Sequence, residues 1–144
     1  MEKALQLDIV TPHGTVFSGA VVAVTVPGGL APFQVLYNHA PILSTLVPGV
    51  LKVLLPDLTP RYYAIGAGFV EVLHNRVTIL VEDIIAGEAI DPEEAAERVH
   101  RARARLEAAQ SRDELQRARH ELHSAEVALR AARLARQGAV STGE

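Results

Sequence analysis

Ala89-Ile90-Asp91-Pro92-Glu93-Glu94-Ala95 divides the chain into two kinds of sequence. Before it, short apolar runs alternate with Gly, Pro, Asn and His turns. After it, Ala, Arg, Glu and Leu recur at helical spacing. Asp91 suits a helix N-cap, Pro92 the first helical position, and Glu94 completes an Asp-x-x-Glu capping box. The segment predicts a β part over residues 1–89 and a helical hairpin over 90–137, followed by a flexible tail over 138–144.

Downstream, Ala95, Val99, Ala102, Leu106 and Ala109 step by four and three. Ser111-x-x-Glu114 is a second capping box, which places a bend at Gln110 to Asp113. Leu115, Ala118, Leu122, Ala125, Leu129, Ala132 and Arg136 then continue a heptad seam. Val99, Leu106, Leu115, Leu122 and Leu129 are the expected packing residues of an antiparallel pair, with small Ala between them. Gly138 and the Ser141-Thr142-Gly143 stretch are expected to end the helix.

Upstream, Leu5, Leu7 and Ile9 alternate with Gln6 and Asp8, the period of a half-buried strand. Pro12-His13-Gly14 is a turn. Val21 to Val26, Phe33 to Tyr37, Val50 to Leu55, Tyr62 to Ile65, Phe69 to Leu73 and Val77 to Val81 read as strands. His74-Asn75-Arg76 closes a hairpin. Nine or ten short strands predict a β-sandwich or flattened barrel.

Of the 144 residues, 49 % are hydrophobic but only 4 % aromatic, so the core must rest on Val, Leu, Ile and Ala. A net charge of −3 gives no electrostatic footprint for nucleic acid. Ten of the 14 basic residues follow Ile90, all of them Arg, matched there by ten acidic ones. The β part carries four basic and seven acidic residues, so its apolar surface is expected to be shared with a neighbour. With no cysteine, disulfides, thiol chemistry and Cys-bound zinc are excluded. No run approaches the ~20 apolar residues of a membrane span. Direct membrane insertion is therefore not expected. The opening Met1-Glu2-Lys3-Ala4-Leu5-Gln6 has no signal-like apolar region.

Candidate chemistry is sparse. His39 reads either as a contact or proton-linked residue, or as a loop histidine that fixes its turn. His120 and His123 share a helix face at a spacing that can hold a metal, yet no third ligand accompanies them; no metal site is expected. Glu82-Asp83 lacks a neighbouring nucleophile, and Pro27-Gly28-Gly29 lacks the Lys-Ser/Thr of a phosphate cradle. Glu97 with Arg101 and Glu126 with Arg130 are candidate i,i+4 pairs. A hydrolase with His39 as base, and a sensor whose hairpin closes on ATP, are the rival readings.

The residues Leu7-Asp8-Ile9-Val10-Thr11-Pro12, Val16-Phe17-Ser18-Gly19, Val26-Pro27-Gly28, Asn38-His39-Ala40-Pro41, Gly68-Phe69-Val70-Glu71-Val72 and Arg76-Val77-Thr78-Ile79-Leu80 carry a family resemblance. From about Leu5 to Arg136 the chain resembles the epsilon subunit of bacterial F-type (proton-translocating) ATP synthases. The resemblance implies a non-catalytic rotor subunit of the central stalk, peripheral on the cytoplasmic face of the bacterial plasma membrane. It couples proton transport to ATP synthesis. Its β domain grips the gamma subunit and rests on the membrane rotor ring. Its hairpin switches between a compact and an extended state, and when extended inhibits ATP hydrolysis.

The same resemblance implies site residues. Phe33, Gln34, Tyr37, Asn38 and His39 are the rotor-ring contacts. Pro32 and Gln34 stand where relatives often carry an acidic residue and a glycine, so an apolar or amide-mediated contact is expected. Arg130, Arg133 and Arg136 are the contacts to the catalytic alpha and beta subunits. Some relatives bind ATP on the compact hairpin; Asp91 and Arg101 match that pattern, but Glu94 replaces its arginine. The expectation is therefore no cofactor, and weak or absent ATP binding.

Overall fold

The computed structural model describes residues 3–142, with side chains described as far as Gln137. Ten strands precede a 3-10 turn and two helices: β1 Leu5–Thr11, β2 Gly14–Val21, β3 Ala23–Val26, β4 Phe33–Val35, β5 Ile42–Leu46, β6 Gly49–Leu54, β7 Pro60–Ile65, β8 Gly68–Leu73, β9 Arg76–Val81 and β10 Ile84–Ala86. The turn is Gly87–Ala89; α1 is Pro92–Ala108 and α2 is Arg112–Thr142.

The strands form two five-stranded sheets, ordered β2-β1-β9-β8-β5 and β10-β7-β6-β3-β4. All neighbours are antiparallel except β1 and β9. The alternation read from sequence holds: Leu5, Leu7 and Ile9 are buried against Val24, Leu51 and Val53 of the other sheet. Each fully buried Leu or Ile contributes about 1.5–3 kcal/mol of transfer free energy. Tyr63 is the aromatic residue among the buried core positions, so the core rests on aliphatic residues as the composition requires.

Several boundaries differ from the sequence reading. Val21 to Val26 is not one strand. Val21 pairs with Leu5 in the first sheet and Ala23 with Leu54 in the second. The chain crosses between sheets at Val22, whose N–H bonds to Leu54 O at 2.8 Å. A β-branched run does not reveal such a step, because both halves remain extended. The strand beginning at Phe33 stops at Val35, since Asn38 turns the chain with a φ of 65°. Strands β5 and β10, and β2 apart from Val21, escaped the reading; β2 mixes Gly and Ser with its apolar residues. β5 places two apolar residues before two polar ones, and β10 has only three residues.

The caps form in part. Asp91 Oδ1 accepts from the Glu93 N–H at 3.0 Å, and Ser111 Oγ from the Glu114 N–H at 3.1 Å. Glu114 reaches back to the Gln110 N–H at 3.4 Å, one residue earlier than a capping box prescribes. The bend is Ala109–Ser111 and α2 begins at Arg112, inside the predicted bend. Helix α2 also runs through Gly138 to Thr142, where a flexible tail was expected. One interior glycine costs a helix about 1 kcal/mol and does not stop it unless a C-cap or Pro follows. Residues 143–144 of that tail lie outside the described residues.

The hairpin lies along the outer face of the second sheet. Ile90, Ala95, Ala128, Ala131 and Ala132 form a small cluster that packs on Val50 of β6 and Ala64 of β7. No described helix is long and apolar enough to cross a membrane.

Candidate functional site

Strand β4 and the turn after it carry the five residues assigned to a ring contact. Gln34, Leu36, Tyr37 and Asn38 are exposed. Phe33 instead turns inward and packs against the core. Its ring stacks with His39, centroids 6.2 Å apart. His39 Nδ1 lies 2.7 Å from Ala40 O, and its N–H bonds to Leu36 O at 3.0 Å. His39 therefore fixes its turn. Asn38 N–H donates to Asn75 Oδ1 at 2.6 Å, and Asn75 Nδ2 donates to Asn38 Oδ1 at 3.2 Å. The β8–β9 turn thus braces this loop from 37 residues away.

The outward face of the first sheet is polar around the Asp8–Arg76 ion pair and apolar at one end. Phe69 is 53 % exposed, Leu80 49 % and Leu43 72 %. Val10, Pro12, Leu46, Phe69, Leu80 and Val81 help line a shallow depression of about 590 Å³ there. The sequence predicted a shared apolar surface without locating it. In β8 and β9 apolar residues stand on both faces, so alternation cannot show which side remains open.

Within the hairpin, the small residues are the most buried. Ala95, Val99 and Ala102 of α1, and Ala118, Ala125 and Ala132 of α2, are buried, whereas Leu106, Leu115, Leu122 and Leu129 are only half-buried. Three ion pairs lace the helices. Glu97 pairs with Arg101 at 3.7 Å as predicted, Arg103 with Glu126 at 3.6 Å, and Arg105 with Glu121. Glu126 thus reaches across to α1 rather than along α2 to Arg130. Such exposed pairs contribute about 0.2–1 kcal/mol each.

The three α2 arginines assigned to the catalytic head do not stay together. Arg130 and Arg133 are exposed and make no ion pair among the described residues. Arg136 Nη1 donates to Gly87 O at 3.1 Å and to Ala132 O at 3.0 Å. Of the residues carried over from an ATP pattern, Asp91 caps α1 and Arg101 pairs with Glu97. Ten residues of helix separate them by about 15 Å along the axis. His123 Nε2 lies 2.8 Å from Pro48 O, joining α2 to the sandwich.

Glu82 and Asp83 are exposed, and no described polar or charged side chain is buried. What the fold defines is a docking subunit: an apolar patch at one end of a sheet, a braced loop and a hairpin held by shallow contacts.

The comparisons with known proteins agree with that class. A family model described as "ATP synthase, Delta/Epsilon chain, beta-sandwich domain" matches residues 4–87. An ATP synthase epsilon chain of Nitratiruptor sp. is 41 % identical over 99 residues, covering 69 % of this chain and 77 % of the relative. One from Desulfosudis oleivorans is 39 % identical over 105 residues, covering 73 % and 79 %. A chain in the Euglena gracilis mitochondrial ATP synthase shares the fold at a TM-score of 0.81 and 24 % identity, over 90 % of this chain and 81 % of that one. The chain belongs to the epsilon-subunit family of F-type ATP synthases.

Proposed function

We propose that this chain is a non-catalytic subunit of the central stalk that couples proton flow through a membrane rotor ring to ATP synthesis. The observation that carries the reading is an apolar patch left open at one end of the first sheet of a family-typical sandwich, with the opposite sheet covered by the chain's own hairpin. The gamma subunit occupies the open face around Phe69, Leu80 and Leu43. Burial there at about 25 cal/mol per Å² supplies the main attraction. The loop carrying Gln34, Leu36, Tyr37 and Asn38 meets the rotor ring through apolar and amide contacts. The complex lies on the cytoplasmic face of a bacterial plasma membrane, and this subunit touches lipid only through its partners.

The hairpin regulates hydrolysis. Docked, it leaves rotation free. Extended, it presents Arg130, Arg133 and Arg136 to acidic segments of the catalytic alpha and beta subunits, where bidentate Arg–carboxylate contacts hold it. The two states need differ by only a few kcal/mol for the head to select between them. No resident cofactor enters this reading, and ATP binding to the hairpin is weak or absent, because Glu94 places a carboxylate where the ATP pattern has an arginine.

The test is ATP hydrolysis by the catalytic head reconstituted with its gamma subunit. The full chain is compared with one ending at Ala89. Hydrolysis several-fold higher with the shorter chain supports an inhibitory hairpin. Equal hydrolysis, with both chains bound, removes that role. Failure of both chains to bind gamma removes the whole reading.

A further inference from the structure

Gly87 lies where the sandwich hands over to the hairpin. It is buried, yet its backbone conformation is open to any L residue. Nothing in the local chain demands glycine there. The demand comes from α2: a β-carbon on residue 87 would meet the Ala131 carbonyl oxygen, with the carbonyl carbon at 2.9 Å and Ala135 Cβ at 3.1 Å. The obstacle is chiefly helix backbone, which cannot rotate away as a side-chain tip can. Gly87 O is itself engaged by the Arg136 guanidinium at 3.1 Å and by the Ile90 N–H at 3.2 Å. One turn of chain is thus held by α2 through a missing side chain and a charge-assisted bond. The second polar tie, from His123 to Pro48 O, lies 13 residues back along α2, about 20 Å away.

We propose that Gly87 and Arg136 form the latch that sets the balance between docked and released hairpin. Its location decides its leverage. Residues 87–91 are the only chain between β10 and α1, so any swing of the hairpin must turn about them. A side chain at 87 is compatible with the sandwich and with a released hairpin, but not with the docked one. Arg136 acts in the same direction from the other side: its Nη1 holds Gly87 O only while the hairpin is docked, and that bond is given up on release. The latch deepens the function proposed above and rests on the released state that it assumes.

The experiment uses the full chain, whose lack of native cysteine lets spin labels sit only where they are introduced. Labels at His13→Cys in the sandwich and Gln110→Cys at the bend report docking by double electron–electron resonance. A pair at His13→Cys and Asp57→Cys reports the sandwich alone. Gly87→Ala is expected to shift the docked-to-released ratio by roughly tenfold or more, as overpacking against an unyielding backbone does. Arg136→Gln shifts it the same way by a smaller factor. The double variant exceeds Gly87→Ala by less than the product of the two, because both act on one contact. A Gly87→Ala distribution identical to wild type overturns the latch. So does a change in the sandwich pair, which would make Gly87 a requirement of the sandwich. Release without any change in hydrolysis by the reconstituted head supports the latch and overturns the regulatory function instead.

Discussion

Asn75 and Asn38 both adopt left-handed backbone, with φ of 62° and 65°, and each satisfies the other's loop. Asn tolerates that conformation better than most residues, which is why both turns can be tight without glycine. Asn75→Ala removes the acceptor of the Asn38 N–H and strains its own turn. The expected loss is about 0.5–1.5 kcal/mol in urea unfolding, together with weaker binding to the rotor ring from a sandwich that remains folded. A variant of unchanged stability and ring affinity would show that the bracing is dispensable. A second residue-scale effect concerns acid. The Asp57 carboxyl is held below the usual aspartate range by its bond from the Thr59 backbone N–H, with the Thr59 hydroxyl and Arg61 acting in the same direction. A lowered folded-state pKa stabilises above the unfolded value of 3.8, and that contribution is lost as pH falls through the folded value. Asp57→Asn is therefore expected to lose less stability than wild type between neutral pH and about pH 3, measured as the shift in urea midpoint. Equal shifts in the two proteins would refute it.

The hairpin shows what an alanine-rich element conceals. The Arg103–Glu126 pair brings α1 and α2 together at mid-hairpin, where Ala102 and Ala125 are both buried. Close approach there depends on the absence of side chains. Ala125→Leu is expected to destabilise the hairpin by about 1–3 kcal/mol through overpacking, seen as faster tryptic cleavage at the hairpin arginines. Cleavage at the wild-type rate would mean that the helices are not closely packed at that point. The seam stepping from Leu115 to Ala132 was legible because its 3–4 spacing repeats. The second face of α2, with Val127, Ala128 and Ala131 turned to the sandwich, was not. Alanine is nearly neutral in polarity and occurs on every side of this helix, so periodicity selects one stripe and hides the other. Arg136 falls on the predicted seam, where an apolar residue would be expected, and the structure explains it as a bond to Gly87 O. In the β part, alternation exposed Leu5, Leu7 and Ile9, while the crossing at Val22 and the open face around Phe69 left no trace in local pattern. The proposed ring and gamma contacts come from resemblance and exposed surface together, since no local rule marks a docking residue.

The two parts of the molecule are stabilised on different scales. The sandwich has one contiguous core of aliphatic residues drawn from both sheets, many of them wholly shielded from solvent. Of the ten buried residues described over 90–137, seven are alanine, and two polar ties join the hairpin to the sandwich. Alanine buries little apolar area, so the transfer free energy gained per residue is well below that of a Leu or Ile in the sandwich. A two-helix hairpin of this kind is also marginal on its own, because helix stability in proteins comes mostly from packing of one face. The molecule should therefore open in two stages. In native-state hydrogen exchange with rising denaturant, amides of α1 and α2 are expected to exchange through a local opening several kcal/mol below the global unfolding of the sandwich. Amides of Leu7, Val70 and Ile79 should follow only the global process. Addition of the catalytic head with gamma should then change the exchange of the hairpin while leaving those three strand amides the slowest. If the helical amides instead converge with the strand amides on one opening free energy, hairpin and sandwich are a single cooperative unit. A hairpin released only by unfolding the sandwich could not serve as a reversible switch.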